Sequence, residues 1–331
     1  MSTAVKGPVL VTGGAGYIGG QTVLALLDAG VEVCVVDDLS TGTLRPFHTD
    51  VAFYEGAIHD RRLLDAVFSK HDITAILHFA GSIKVDESVT NPLKYYHNNT
   101  EGSRVLIDAA VHHDISNFIF SSTAAVYGIT GDEPVSEMAV PHPLNPYGWS
   151  KLFTEQQLRD ACSVSAMNYG IFRYFNVAGA DPELRHGQFL EKPTHLIGRA
   201  IDALLDRAPA LQVFGNDLPT PDGTGVRDYI HVYDVATAHL ALLASMQSSG
   251  QSRLLNLGYG VGSSVLEVIS AISAEAGKPV PYEFGTLRAG EAPSVVADIS
   301  SLQESLDWVP KYNNLSQMTA SAYNWAKLPK E

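Results

Sequence analysis

Over its first 174 residues the chain alternates short β-branched runs with stretches of helical periodicity, and this alternation narrows the fold more than any other feature. Residues 9–12, 32–36, 51–54, 75–78, 118–121 and 169–174 read as strands. Between them, residues 17–29, 61–69, 98–113 and 147–161 carry apolar side chains at helical spacing. In the first of these Ile18, Val23, Leu26 and Leu27 are so spaced, and Gly30 ends the run. Strands that alternate with helices make βαβ units, a parallel sheet and right-handed crossovers. The expected class is therefore α/β with a doubly wound parallel sheet. After about residue 178 the texture changes. Pro- and Gly-rich segments at 215–227 and 288–293 interrupt helical patterns at 195–205, 232–246, 265–276 and 316–325. Two units are expected, a sheet domain over residues 1–178 and a smaller mixed α/β lobe over residues 179–331, interleaved and without a clean linker.

Composition removes several functions. The 331 residues are 45 % hydrophobic, enough for a sizeable core. With 36 acids against 22 bases the net charge is −14, which repels nucleic acid and anionic membrane. An anionic substrate would need local basic residues to overcome that field. Cys34 and Cys162 are the only cysteines, too few for a disulfide framework, and Cys34 reads as a small core residue. No apolar run reaches the ~18 residues of a spanning helix and the N-terminus lacks a signal core, so a soluble cytoplasmic protein is expected. The twelve His are scattered without metal-ligand spacing, so no metal is expected.

The first strand runs into Thr12-Gly13-Gly14-Ala15-Gly16-Tyr17-Ile18-Gly19, a G-x-x-G-x-x-G turn between strand and helix. Glycines there allow a tight turn, close approach of a pyrophosphate to the backbone, and close packing of helix on strand. The free N–H groups at the helix start then hold the anion. No G-K-[ST] follows, which excludes a nucleoside-triphosphate loop. Asp37 lies 18 residues past Gly19, where a carboxylate accepts from adenosine ribose hydroxyls and repels a 2′-phosphate. A Rossmann-type domain binding NAD rather than NADP is the expectation.

Tyr147 and Lys151 stand four residues apart, hence on one helix face. A lysine ammonium beside the phenol would lower its pKa, and a positive nicotinamide ring would lower it further. The phenolate could then take a substrate hydroxyl proton as hydride leaves the same carbon. Tyr323 and Lys327 repeat the spacing, and location separates the two pairs. Tyr147 opens a helix behind Pro146, and the preceding strand ends in Ser121-Ser122-Thr123. Ligands sit at the carboxyl ends of strands in such sheets, so the Thr123 hydroxyl is placed to bond a substrate oxygen or relay the proton.

With these elements in order the chain resembles the extended short-chain dehydrogenase/reductases, and within them the UDP-glucose 4-epimerase family. Phe79-Ala80-Gly81, Val126-Tyr127-Gly128, Arg173-Tyr174-Phe175-Asn176, Asn256-Leu257-Gly258 and the string from Gly223 to Val232 are similar to epimerase motifs. The resemblance spans nearly the whole chain. It implies tightly bound, recycled NAD contacted by Gly13, Gly16, Tyr17, Ile18, Gly19, Asp37, Ile58, Phe79, Ala80, Gly81, Asn98, Lys151 and Tyr174. It implies that Tyr147 removes the 4-OH proton while C4 gives hydride to NAD⁺. The 4-keto sugar then turns about its link to the diphosphate, and hydride returns to the other face. Thr123, Tyr147, Asn176, His195, Leu196, Phe214, Arg227, Arg288 and Val295 match positions that hold the UDP-sugar, with Arg227 and Arg288 supplying the local positive charge. The resemblance also implies a homodimer pairing helices 98–113 and 147–161.

Departures from the family pattern carry their own expectations. Ala57 stands where an Asp faces adenine, which removes one hydrogen bond. Ile83 takes the place of a Lys, and Lys84 is shifted by one. His195 stands in place of Asn, and Thr123 in place of Ser. Val295 replaces a Tyr that closes the sugar pocket, leaving room for an N-acetyl group. A 4,6-dehydratase needs added acid and base groups after Thr123, and Ala124-Ala125 follow instead. Other UDP-sugar epimerases, acting on uronates or pentoses, stay open. A non-catalytic NAD-binding regulator is the reading from a different class.

Overall fold

The computed structural model describes residues 5–43, 51–131, 133–189, 193–287 and 292–329. In chain order these form β1 (Val9–Thr12), α1 (Tyr17–Asp28), β2 (Val33–Asp37), β3 (Ala52–Glu55), α2 (Arg61–Lys70) and β4 (Ala75–His78). Next come α3 (Val85–Thr90), α4 (Pro92–Tyr95), a π-helical turn (Tyr96–Glu101), α5 (Gly102–His112), β5 (Asn117–Thr123), α6 (Pro146–Ser163), β6 (Asn168–Tyr174) and β7 (Asn176–Ala178). The remainder gives α7 (Leu196–Leu204), β8 (Leu211–Phe214), β9 (Val226–His231), α8 (Val232–Ser249), β10 (Arg253–Leu257) and β11 (Gly262–Ser264). It ends with α9 (Val265–Ala276), β12 (Tyr282–Gly285), β13 (Ser294–Val295), α10 (Ser300–Ser305) and α11 (Leu315–Lys327).

Seven parallel strands form one sheet in the order β10-β6-β5-β4-β1-β2-β3. The chain winds outward from β1 through β3, then returns to β4 on the other side. The order reverses between β1 and β4, and the crevice above that reversal is where an open sheet binds ligands. Both faces are covered, as parallel strands require. Val9, Val11, Val33, Val35 and Leu77 pack with α1 and α8 on one face, while Leu10, Cys34, Val36, Ile76 and Phe118 pack with α2 and α5 on the other. A separate cluster joins α7, α9 and α11 over β8.

The expected α/β doubly wound sheet is present, and every strand read from residues 9 to 174 exists with shifts of a residue or two. Two parts differ. The helix expected over 98–113 begins earlier, because Pro92 starts a turn at residue 92 that runs through the π-helical turn into α5. The strands after residue 178 gave no sequence signal. Most have two to five residues and lack strict alternation, so their hydrophobic pattern resembles loop. One of them, β10, completes the large sheet beside β6. Another, β9, pairs with β7, β11 and β13 and forms the hub of the smaller sheet.

Candidate active site

The glycine turn closes β1 at the reversal point. Gly13 has φ of 72°, and a Cβ on it would lie 2.5 Å from the Ala80 nitrogen. A Cβ on Gly19 would lie 2.1 Å from the Gly13 carbonyl oxygen. These positions accept glycine alone, because the Phe79–Gly81 loop after β4 and the turn itself are in direct contact. No side chain caps the first turn of α1, which begins after Gly16 with Tyr17 and Ile18. Asp37 ends β2 and is nearly buried, its carboxylate accepting from the Leu39 N–H at 2.8 Å and the Ala15 N–H at 3.0 Å. Burial raises its pKa, and those two backbone bonds oppose the rise. The buried Ile58 lies against Gly102 just beyond β3. A cradle that only glycine fits, an uncapped helix start and a carboxylate at the next strand end suit a dinucleotide.

The second half of the site stands at the ends of β4 and β5. Asn145 caps α6 by accepting from the Gly148 N–H at 2.9 Å, and Pro146 occupies the first helical position. This sets Tyr147 and Lys151 on successive turns. Lys151 is 3 % exposed; its Nζ donates to the Ser121 carbonyl at 3.0 Å and lies 4.9 Å from the centre of the Phe120 ring. A Cβ on Gly81 would come within 3.5 Å of that same Nζ. Gly81, in the loop after β4, and the lysine are therefore neighbours. The Thr123 hydroxyl accepts from the Ala125 N–H at 3.1 Å and also bonds with Tyr147.

Burial dominates the electrostatics of both Tyr147 and Lys151. In the protein alone burial raises the Tyr147 phenol, and the Thr123 hydroxyl opposes the rise. Burial pushes Lys151 down to about 8. The lysine aims at Ser121 in a desolvated setting, and its own charge is the one weakened.

The other expected residues are spread over several elements. Asn98 lies in the π-helical turn and donates to the Ser82 hydroxyl at 3.0 Å. The Phe79 ring lies 4.9 Å from that of His239, and the buried Tyr174 hydroxyl is 2.6 Å from His239 Nε2. Asn176 opens β7 and pairs with Tyr229, while Arg227 pairs with Val295 across β9 and β13, so the smaller sheet gathers all three. His195 caps α7 just ahead of Leu196, its Nδ1 accepting from the Gly198 N–H at 3.2 Å, and burial pushes the ring down to about 4. His195 and Tyr17 line one cavity of about 590 Å³ with Gly179 and Thr43. Phe214 ends β8. Arg288 lies outside the described residues.

Sequence reasoning passed over Asn99. It is 2 % exposed, accepts from the Ser82 N–H at 2.7 Å and donates to the Ser150 hydroxyl at 2.9 Å. It thereby ties the loop after β4 to the helix of Tyr147. Its one signal was the Asn-Asn pair, since a polar residue inside a helical run needs a partner. The second Tyr/Lys pair, Tyr323 and Lys327, sits on α11 against α7 and α9, with the ammonium 4.4 Å from the ring centre. Among the described residues no group of three or more His, Cys, Asp or Glu could hold a metal ion. Among them, too, no helix is long and apolar enough to cross a membrane.

Known proteins match this arrangement closely. Residues 9–258 match the model of the NAD dependent epimerase/dehydratase family. A UDP-glucose 4-epimerase of Azospirillum brasilense is 48 % identical over 98 % of this chain and 93 % of its own length. The crystal structure of a UDP-glucose 4-epimerase from Stenotrophomonas maltophila, with bound NAD and formylated UDP-arabinopyranose, superposes with a TM-score of 0.93. It is 37 % identical over 97 % of this chain and 98 % of that one. A UDP-Glc/GlcNAc 4-epimerase from Campylobacter jejuni is 40 % identical with a TM-score of 0.85, over 97 % and 99 % of the two chains. A glycine cradle at the sheet's reversal point, a Tyr/Lys helix beside it and this breadth of similarity lead to one conclusion: the chain belongs to the NAD dependent epimerase/dehydratase family.

Proposed function

We propose that this protein is a UDP-hexose 4-epimerase that interconverts UDP-glucose and UDP-galactose with NAD as a recycled cofactor, in galactose metabolism. The observation that carries the reading is the position of Lys151, buried between the Ser121 carbonyl and Gly81, with Tyr147 one helical turn before it. NAD, when bound, supplies the acceptor and then the donor of hydride at the sugar C4. Gly13, Gly16, Tyr17, Ile18 and Gly19 hold its pyrophosphate, Asp37 the adenosine ribose, and Ile58 the adenine. Phe79, Ala80, Gly81, Asn98, Lys151 and Tyr174 shape the rest of its site.

As the phenolate, which the Lys151 ammonium and the oxidised ring together favour, Tyr147 Oη takes the proton of the substrate 4-hydroxyl and gives it back on the return step. The Thr123 hydroxyl bonds the same substrate oxygen and steadies the phenol. Lys151 provides the positive charge that makes proton transfer to Tyr147 feasible, helped by the oxidised ring. Arg227 and Arg288 bind the diphosphate with Asn176, His195 and Leu196, and Phe214 lies by the uracil. These arginines offset the repulsion between an acidic protein and an anionic substrate. In this reading residues 1–178 carry the cofactor and residues 179–331 the sugar nucleotide, with β10 and α8 returning to the first unit.

Two further assignments rest on narrower grounds. Val295 sits beside Arg227 in register, and a side chain of that size leaves space for an N-acetyl group, which favours added activity on UDP-GlcNAc and UDP-GalNAc. Val89 and Leu93 are 62 % and 76 % exposed on α3 and α4, and Phe153 on α6 is 43 % exposed. Apolar side chains gathered on adjoining helices favour a homodimer through this face. The two cysteines are both free, which suits the reducing cytoplasm.

Proton NMR of UDP-galactose with the protein as purified tests the proposal. Formation of UDP-glucose without added NAD is expected. Tyr147→Phe should lower kcat by ~10²–10⁴-fold while the protein keeps its nucleotide. Full turnover by that variant would end the assignment. Silence toward every UDP-hexose and turnover of a uronate or pentose would move it to a neighbouring specificity.

A further inference from the structure

Helix α1, which follows the glycine turn, is clasped along its length by the segment after β7. At its first residue the Tyr17 hydroxyl donates to the Gly179 carbonyl at 2.6 Å. One turn on, Gln21 Nε2 donates to Asp181 Oδ1 at 2.9 Å. At its last residue Asp28 accepts both arms of the Arg185 guanidinium, at 2.9 and 3.0 Å. Asp181 is fully buried and also accepts from the Glu183 and Arg185 N–H groups and from the Arg185 side chain. These bonds wind a tight turn that holds Leu184 at φ of 57° and delivers His186 to the start of α1.

His186 is fully buried. Its Nε2 lies 2.9 Å from the Tyr17 carbonyl oxygen and 3.2 Å from that of Gly16. Carbonyls only accept, so Nε2 carries the proton and donates. Burial pushes the ring down to about 4, which keeps it neutral. The two carbonyls belong to the capping residue and first residue of α1, in the same peptide planes whose N–H groups face an incoming phosphate. The ring reaches them because residue 20 is glycine; a Cβ there would lie 2.5 Å from His186 Cε1 and 2.6 Å from Nε2. Gly20 falls outside the G-x-x-G-x-x-G spacing, and this contact accounts for it.

A glycine turn is costly to order, because glycine loses more backbone freedom than other residues. Ordering it before the ligand arrives removes that cost from binding. We propose that His186 is a positioning residue that holds the glycine turn in its binding shape, so that the dinucleotide is retained through turnover. This deepens the epimerase reading and rests on it for the identity of the ligand.

The test compares full-length wild type, His186→Ala and His186→Gln as purified. Two quantities are read, the rate at which bound NAD is lost in a chase and amide hydrogen exchange across residues 13–19. Loss of one buried hydrogen bond corresponds to ~tenfold faster NAD loss in His186→Ala. Exchange should rise in the turn and not elsewhere. Glutamine keeps an N–H donor and should restore both. Gly20→Ala disturbs the same contact from the helix side and should reproduce the change within the turn. Unchanged NAD loss and turn exchange in His186→Ala would overturn the proposal, as would exchange rising evenly over the whole chain. If wild type holds no dinucleotide, the cofactor reading fails, while exchange in the turn still decides the role of His186.

Discussion

Lys151 shows how a site residue can oppose stability. Its ammonium is buried, with the Ser121 carbonyl as its hydrogen-bond partner, and burial pushes its pKa down to about 8. Below pH 8 both folded and unfolded chains hold the proton, and the folded state bears the full desolvation cost. Between about 8 and the ordinary lysine value near ~10.4, the folded chain has released the proton and the unfolded chain has not. The unfolded state then binds more protons, so stability from this group rises with pH across that window. A shift of this size corresponds to about 3 kcal/mol. Lys151→Met lacks the titration. Urea denaturation should show the variant gaining on wild type most at pH 7, with the gap closing by about 3 kcal/mol toward pH 10.5. A gap that stays constant with pH would contradict the buried ammonium. Cores that tolerate such a charge do so at functional sites, where activity outweighs stability.

At the scale of elements, β5, β6 and α6 are locked by polar groups beneath the site. Glu155, one turn beyond Lys151 on α6, accepts from the Ser122 hydroxyl and from Arg173 on β6 at 2.6 and 3.0 Å. Arg173 and Glu155 are 3 % and 2 % exposed, and the guanidinium lies 4.8 Å from the centre of the Tyr127 ring. Tyr127 in turn donates to Asn256 on β10 at 2.6 Å. Three strand ends and α6 thus share one network. Removing one partner of a buried pair leaves the other charge uncompensated, so Glu155→Ala should cost ~3–5 kcal/mol in denaturant unfolding. The double change Glu155→Met with Arg173→Met should recover most of that loss. Equal losses in the single and double variants would show that packing, and not charge pairing, sets the cost.

At the scale of the molecule, the face formed by α3, α4 and α6 carries the exposed Val89, Leu93 and Phe153, with the Phe153 ring tilted against those of Trp149 and Tyr96 at 5.6 and 6.0 Å between centres. The homodimer proposed through this face predicts that Leu93→Asp combined with Phe153→Asp halves the particle mass in light scattering while the circular dichroism spectrum is kept. An unchanged mass would place the subunit contact elsewhere or remove it. Because Tyr147 lies on the same helix as Phe153, 6.4 Å from the Tyr95 ring, loss of that contact should also lower turnover.

Local pattern was sufficient for the first half of the chain. Short β-branched runs alternating with 3.6-period helices identify the parallel sheet, and the glycine spacing marks the turn after β1, because both depend on neighbours in sequence. The family's motifs likewise pointed to Tyr147, Lys151 and Thr123. Tertiary structure decided what depends on partners distant in sequence. Short β8 and β13 acquire meaning only by pairing with β12 and β9, and β10 only by joining β6. The same holds for charge. Spacing placed an ammonium beside a phenol, but desolvation shifts both groups, raising the phenol and lowering the lysine. Gly20 needs His186, some 166 residues away, before its lack of a side chain makes sense. Hydrophobic periodicity is written along the chain, whereas burial and hydrogen-bond partners exist only once the chain has closed on itself.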